Sequence, residues 1–487
     1  MRKAFDTSHS RDIIRGLFWG SDARNGERHF KDSLFNAVFC LRIKTAQGIG
    51  SLGRRGTNFL MKLFKKLFFA LISCALLSCS SGNPSGVTEV KVAFWGSPEE
   101  IQIITNSIAD WQAAHPAIKV VFEHTPYAGY DSKILTRIAG GAAPDIITTE
   151  VDYFVTFASK NVLEDLTPFF KNDPTGFSKE EFFESIVDRF TYQDQFLALP
   201  RDVAPFACVF YNKKLFDEAK IPYPTESWTY EDLLRISREL TKKDNAGRVT
   251  QYGFYTWAWK NFIYGFGGAL VDDVKHPTKT MLTDPKSIEG MQFYSDLINV
   301  YGVMPTPVAL TNLGMGIDRL FAKGQLAMFG SGIWETPGLR NYDFDWDVVM
   351  FPKSKEGKRA FGTGGSGYAM LKSSKNKQAA WEVLKALTGV AGQEKFAQGG
   401  LAQPSRKAVA EGKSWAQDTA SKPTNKKMLN EAVNNTVYSP FNEHWREIEQ
   451  KLINPQLDLI FNGKKTAKEV FTELEPEINQ SLKADIR

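Results

Sequence analysis

Cysteine is scarce in this 487-residue chain. Its four residues, Cys40, Cys74, Cys79 and Cys208, have the spacing of neither a disulfide-dense scaffold nor a zinc finger. Histidine is nearly as rare, at six, and His115 and His124 do not make a metal site by their spacing. The chain has no GxSxG nucleophile signal, no HExxH metal helix and no dinucleotide fingerprint. Its glycine-rich phrase GTGGSG, at 362–367, lacks the Lys-Ser/Thr ending of a phosphate loop. Heptads, a short-period repeat and a second membrane-length apolar run are absent as well. What is present is 43% hydrophobic and 24% charged residues. That is apolar enough for a sizeable core, and the length suits two or more domains or lobes.

A strong charge of one sign is also missing, although 60 Lys+Arg against 55 Asp+Glu and a pI near 8.7 invite a nucleic-acid reading. The location of the charge removes that reading. Residues 1–60 hold 11 Lys+Arg and five acids, an excess of six. They show no export logic and read as a doubtful N-terminal extension or a mis-assigned start, with translation beginning at Met61. From Met61 runs MKLFKKLFFALISCALLSCSSG, with Lys62, Lys65 and Lys66 as a basic head and Leu67–Leu77 as a short apolar core. This is an export signal, too short for a stop-transfer helix. LLSC at Leu76–Cys79 resembles the bacterial lipobox, which implies cleavage before Cys79 and lipidation of that residue. The signal peptide is then 61–78 and the tether 79–86. The leader carries three more positive charges, so the remaining 409 residues fall from the chain's +5 to −4. A mildly acidic mature chain weakens the argument for a basic nucleic-acid surface. Cys208 has no internal disulfide partner and, inside an apolar run, reads as buried.

After the tether, TEVKVAFW (Thr88–Trp95) alternates as a strand. Pro98, Glu99 and Glu100 open a helix expected to run to Ala114. IKVVFEH (Ile118–His124) is a second strand, a helix follows around Asp131–Ala139, and PDIITT (Pro144–Thr149) is a third strand. This alternation predicts an α/β lobe with a largely parallel sheet, and ligand positions in loops beyond the strand ends. Leu197–Ala219, punctuated by Pro200 and Pro205, reads as a crossing between lobes. Thr229 caps a helix in Trp228–Leu240, with Asp232 completing a capping-box pattern. The aromatic, glycine-rich stretch Tyr252–Leu270, strands in Gly324–Trp334 and Trp346–Pro352, and a largely helical remainder complete the pattern.

Taken in order, VKVAFWG (90–96), APDI (143–146), YNKKLF (211–216), ESWTYEDL (226–233), KGQLAMFGSGIW (323–334) and GTGGSG resemble an extracytoplasmic solute-binding protein of the sugar ABC transporter class. The resemblance covers roughly Val87–Arg487. It implies an α/β, two-lobed periplasmic-binding-protein-like fold with an interlobe ligand cleft. The first lobe would hold 87–203 and 361–408, the second 204–360 and 409–487. It implies a monomeric, non-catalytic receptor with no cofactor and no metal. That receptor would deliver a mono- or oligosaccharide to an ABC permease with a separate ATPase. The lipid would hold it on the periplasmic side of a membrane in a Gram-negative cell, or on the outer face of the cytoplasmic membrane in a Gram-positive one.

A sugar cleft needs hydrogen-bonding groups for hydroxyls and aromatic platforms for C–H faces. Trp95 is a rim aromatic or a packing residue, and Tyr127 either faces solute or closes the lobe. Glu150 and Asp152 follow the third strand as hydroxyl acceptors, with Asp152 alternatively a solvated charge, and Tyr153 adds a ring face. Arg201 either donates into the cleft or pairs with Asp202. Trp257 and Trp259 share a face only if TWAWK is extended. Trp334 resembles the binding-loop tryptophan of the family, with Glu335 as its assistant or a surface acid. Gly364, Gly365 and Ser366 allow backbone approach to solute or simply form a turn. Trp111, Trp228 and Trp381 read as packing residues. An exported glycan-processing enzyme, which needs two suitably spaced carboxylates, and a structural or adhesive surface lipoprotein are the competing readings.

Overall fold

The computed structural model describes residues 86–483. The extension 1–60, the signal peptide 61–78, Cys79 and the tether up to residue 85 lie outside the described residues.

The first sheet runs in the order Ile118–His124, Thr88–Phe94, Ile146–Glu150, Ser366–Met370, Leu199–Pro200. Its first three strands are parallel, as the βαβαβ pattern predicts; Ser366–Met370 runs antiparallel to them, and Leu199–Pro200, antiparallel to Ser366–Met370, runs in their direction. Between the first two strands, the expected single helix to Ala114 is instead two, Pro98–Ser107 and Ala109–Ala114. The break has a local cause. The Ser107 hydroxyl donates to the Ile104 carbonyl at 2.7 Å, the acceptor a continuing helix would give to the N–H of Ile108, and that N–H bonds Asn106 instead. The predicted capping box at Thr229 is present, with the helix Tyr230–Leu240 behind it.

The second sheet has the order Trp346–Met350, Cys208–Asn212, Leu326–Ser331, Val249–Thr256, Lys242–Lys243. Only Leu326–Ser331 and Val249–Thr256 pair in parallel. Cys208 is fully buried there, and burial pushes its thiol well up, so it is not a nucleophile.

A third, four-stranded sheet joins the other two: Gln403–Pro404, Asp202–Pro205, Phe361–Gly364, Thr436–Val437. Asp202–Pro205 follows a strand of the first sheet and leads into the second. Phe361–Gly364 follows the second and leads into the first, antiparallel to it, with Thr363 opposite Pro205 and Gly364 opposite Ala204. The glycines of GTGGSG therefore sit within two buried strands and their junction rather than in a free loop. Asn261, fully buried, ties the two passages together. Its amide donates to the Phe206 carbonyl at 2.7 Å and its oxygen accepts from the Gly362 N–H at 2.9 Å.

Two hydrophobic cores lie on either side of this junction. One gathers Val90, Ile146, Phe154, Phe190, Tyr368 and Trp381, the other Phe210, Phe262, Met328, Trp346 and Phe471. Residues 361–408 divide their side chains between them. Tyr368 and Leu384 join the first core, whereas Phe361, Phe396 and Leu401 join the second.

Candidate functional site

A cavity of about 580 Å³ opens between side chains of the two lobes. On the first-lobe side, strand ends supply the lining. Trp95 follows Thr88–Phe94 and is held edge-to-face by Tyr130 (ring centroids 4.9 Å), Tyr127 (5.6 Å) and Tyr153 (6.0 Å). Glu150 ends its strand at the residue before the helix Val151–Ser159, without a side-chain hydrogen bond to that helix, which puts Asp152 in the first helical turn. The Tyr127 hydroxyl donates to Glu150 Oε2 at 2.7 Å. Burial, then the neighbouring Asp152 charge, pushes the Glu150 carboxyl up to about 7, and burial likewise raises Asp152.

The opposite wall is aromatic. Trp257 and Trp334 stack at 6.2 Å with planes 30° apart, and both meet the Phe206 ring edge-to-face, at 5.0 and 5.8 Å. Trp257 is 43% exposed, a large apolar area for one side chain. Its indole N–H donates to Ser331 Oγ at 3.4 Å, and that hydroxyl donates to Glu335 Oε1 at 2.9 Å. The Trp334 ring folds back over Gly332, where a Cβ would stand 1.8 Å from it, so only glycine permits this indole position. TWAWK is not extended: the strand ends at Thr256 and a helix starts at Trp259. Trp259, 7% exposed, still reaches the lining.

Trp95, Tyr127, Glu150, Asp152, Arg201, Trp257, Trp259, Trp334 and Ser366 thus converge on the cavity. Tyr153, Glu335, Gly364 and Gly365 are not on its lining. Tyr153 packs behind Trp95, and Glu335 acts through Ser331 on Trp257. Gly364 leaves room for Glu150, whose Oε1 would be 3.3 Å from an added Cβ, and Gly365 lies against Ile186 and the Asp202 carbonyl. Arg201 makes the expected pair with Asp202 and also stands on the cavity lining. Its Nε lies 2.5 Å from Asp202 Oδ2, both side chains buried. Asp202 in turn accepts the Ser366 N–H at 3.0 Å.

Several lining residues escape a sequence reading: Glu100, Phe206, Lys260, Leu401 and the group Arg446, Glu449, Gln450, Asn454. The last group recurs at helical spacing, a stripe that reads as a solvated face. Glu449 and Gln450 lie on a π-helical segment, Ile448–Ile453, a form that recurs at functional sites, with Arg446 in the short helix Trp445–Glu447 before it and Asn454 opening the helix after it. Lys260 Nζ lies 2.5 Å from Glu449 Oε1, and Arg446 Nε lies 2.8 Å from Asp131 Oδ2 in the first lobe. Among the described residues, no group of three or more His, Cys, Asp or Glu is placed to hold a metal. None of the described helices is long and apolar enough to cross a membrane.

A model of the bacterial extracellular solute-binding proteins matches residues 95–394. The chain belongs to this family. Among curated relatives of this solute-binding protein, the maltotriose-binding protein of Pyrococcus abyssi is 24% identical over 304 residues. That alignment is 61% of this chain and 62% of the relative, so the chain spans a little under two thirds of it. The galactooligosaccharide-binding protein of Bacillus subtilis is 24% identical over 342 residues, 66% of this chain and 76% of that protein. An ABC substrate-binding protein of Listeria monocytogenes, solved in complex with cycloalternan, superposes with a TM-score of 0.73 at 23% identity. The match covers 81% of this chain and 99% of that one. The fold is the two-lobed α/β periplasmic-binding-protein type, as the ordered sequence phrases implied.

Proposed function

We propose that this solute-binding protein is an extracytoplasmic, lipid-anchored receptor that holds a carbohydrate between its lobes and passes it to an ABC permease driven by a separate ATPase. The observation that carries this reading is the composition of the cavity walls. Indoles of both lobes line it, Trp95 from one and Trp257 and Trp334 from the other, and offer flat apolar surfaces to sugar C–H faces. Carboxylates and Arg201 between them offer acceptors and donors for hydroxyls. A volume of about 580 Å³ is in the range of small-molecule clefts, about 300–1,000 Å³. The chain passages through the third sheet supply the hinge, so that closure around solute excludes water and presents a closed face to the membrane partner. The lipobox phrase ending at Cys79 supports the anchor, and a monomer suits the delivery role.

Calorimetric titration and native mass spectrometry of the purified protein against a broad mono- and oligosaccharide panel test the reading. Saturable, reversible binding of one sugar, recovered unchanged, is expected. Tight binding of another solute class with no sugar bound refutes the substrate assignment, and conversion of the sugar to product favours the glycan-processing enzyme.

A further inference from the structure

The charges around the cavity do not balance. The lining carries five carboxylates (Glu100, Glu150, Asp152, Asp202, Glu449) and three cations (Arg201, Lys260, Arg446). Each cation is already engaged, by Asp202 at 2.5 Å, Glu449 at 2.5 Å and Asp131 at 2.8 Å respectively. Among the described residues no cation stands within ion-pair distance of Glu150 or Asp152. Glu150 receives only the Tyr127 hydroxyl, on Oε2. Asp152 takes a hydrogen bond from Ser439 but keeps its fully buried Oδ1 without any partner. A buried carboxylate oxygen without a donor is costly, and two neighbouring acids sharing a desolvated site resist ionising together. A neutral hydroxyl would supply a hydrogen bond but leave the charge. An ammonium group supplies three N–H donors and a directly paired positive charge at once, whereas Lys260 and Arg446 act on these acids only from beyond ion-pair distance. The surrounding rings of Trp95, Tyr127, Trp257 and Trp334 favour the same group, because aromatic faces attract cations.

We propose that the cleft selects saccharides bearing a free, protonated amino group over their N-acetylated, neutral and acidic counterparts, with Glu150 and Asp152 receiving the ammonium. This rests on the carbohydrate reading above. A uronate or sugar phosphate would bring a second negative charge against these acids, and every guanidinium or ammonium that could receive it is already paired.

The test is a matched panel of disaccharides in gluco, galacto and manno series, each as the free amine, the N-acetyl form, the neutral sugar and the uronic acid, titrated calorimetrically. The tightest ligand is expected to be a free amine, about tenfold or more above its N-acetyl counterpart, the gain of roughly one charge-assisted contact. Glu150→Gln and, separately, Asp152→Asn should each pull that amine-to-N-acetyl ratio toward one. If a neutral or acidic sugar binds as tightly as its amine, or if both variants keep the ratio, the inference is overturned while the carbohydrate reading stands. If no member of any series binds, both fall.

Discussion

The pair Lys260–Glu449 gives a sharp stability test of the cavity floor. Its side chains are 14% and 19% exposed, and its charges are 2.5 Å apart. Burial alone would lower the Lys260 ammonium, but Glu449 and then Asp152 outweigh it and hold the group above the ordinary lysine range. The raised value means that this stabilisation is complete below the unfolded pKa of about 10.4 and is lost as pH rises through the folded one. Lys260→Met strands Glu449 and leaves Asp152 without its principal compensating charge. Removing one partner of such a buried pair costs about 3–5 kcal/mol. Glu449→Leu costs less, because Lys260 still faces Asp152. The double variant Lys260→Met/Glu449→Leu removes the stranded acid and should be more stable than Lys260→Met alone, with a coupling energy of about 2 kcal/mol or more. Equilibrium urea unfolding, followed by tryptophan fluorescence and circular dichroism with coincident transitions, reads these costs as midpoint shifts at unchanged slope. A double variant whose cost equals the sum of the singles within about 0.5 kcal/mol would refute the pairing argument.

Two more perturbations probe the junction and the first-lobe wall. Asn261→Ala leaves the Phe206 carbonyl and the Gly362 N–H without partners inside the molecule, at about 1–3 kcal/mol each, so a loss of roughly 2–6 kcal/mol is expected in the same unfolding assay. A loss no larger than that of an ordinary surface substitution would show that Asn261 does not tie the passages together. For Glu150, the folded carboxyl titrates near 7 against an unfolded value of about 4.3, so the folded protein binds the extra proton and Glu150 costs stability as pH rises through that window. Glu150→Gln should therefore gain relative to the wild type between pH 5 and 8, and parallel pH profiles for the two proteins would refute it.

The first lobe was legible because its signals are local. The alternation at Thr88, the apolar run at Ile118 and Pro98 with its acid pair each declare themselves within a few residues, and strand ends of a parallel sheet are natural ligand positions. Trp95, Glu150 and Asp152 follow from that placement. The opposite wall needed more. Trp334 was found through a family-like phrase, but the reason it faces the cavity is the bare backbone of Gly332, which no periodicity reports. The spacing of Trp257 and Trp259 misleads because a strand-to-helix change falls between them, at Ala258. Glu335 and Tyr153 stand one residue behind the cavity lining, a distinction made by packing that no local sequence signal reports.

The C-terminal part of the site was invisible for a different reason, and that reason bears on how the cleft works. The segment from Thr436 onward behaves as a third passage between the lobes. Tyr438 and Phe441 pack against the first core, with the Arg189 guanidinium at 5.0 and 4.9 Å from their ring centres and bonded to the Ser439 carbonyl at 2.6 Å. A few residues later, Trp445 and Ile448 are buried in the second core. Between and beyond these anchors lie Arg446, which reaches Asp131 in the first lobe, and Glu449, which holds Lys260 in the second. A polar stripe on an isolated helix has no reason to meet a cavity; here Arg446 and Glu449, at 21% and 19% side-chain exposure, are drawn in because the flanking aromatics are claimed by two different cores, while Gln450 and Asn454 stay exposed. The same covalent segment that links the lobes therefore carries polar groups of the cavity, so any change in the angle between the cores must reposition Arg446 and Glu449. In the closure proposed above, coupling to solute binding would require no relay through distant side chains, because this passage and part of the cavity wall are one piece of chain.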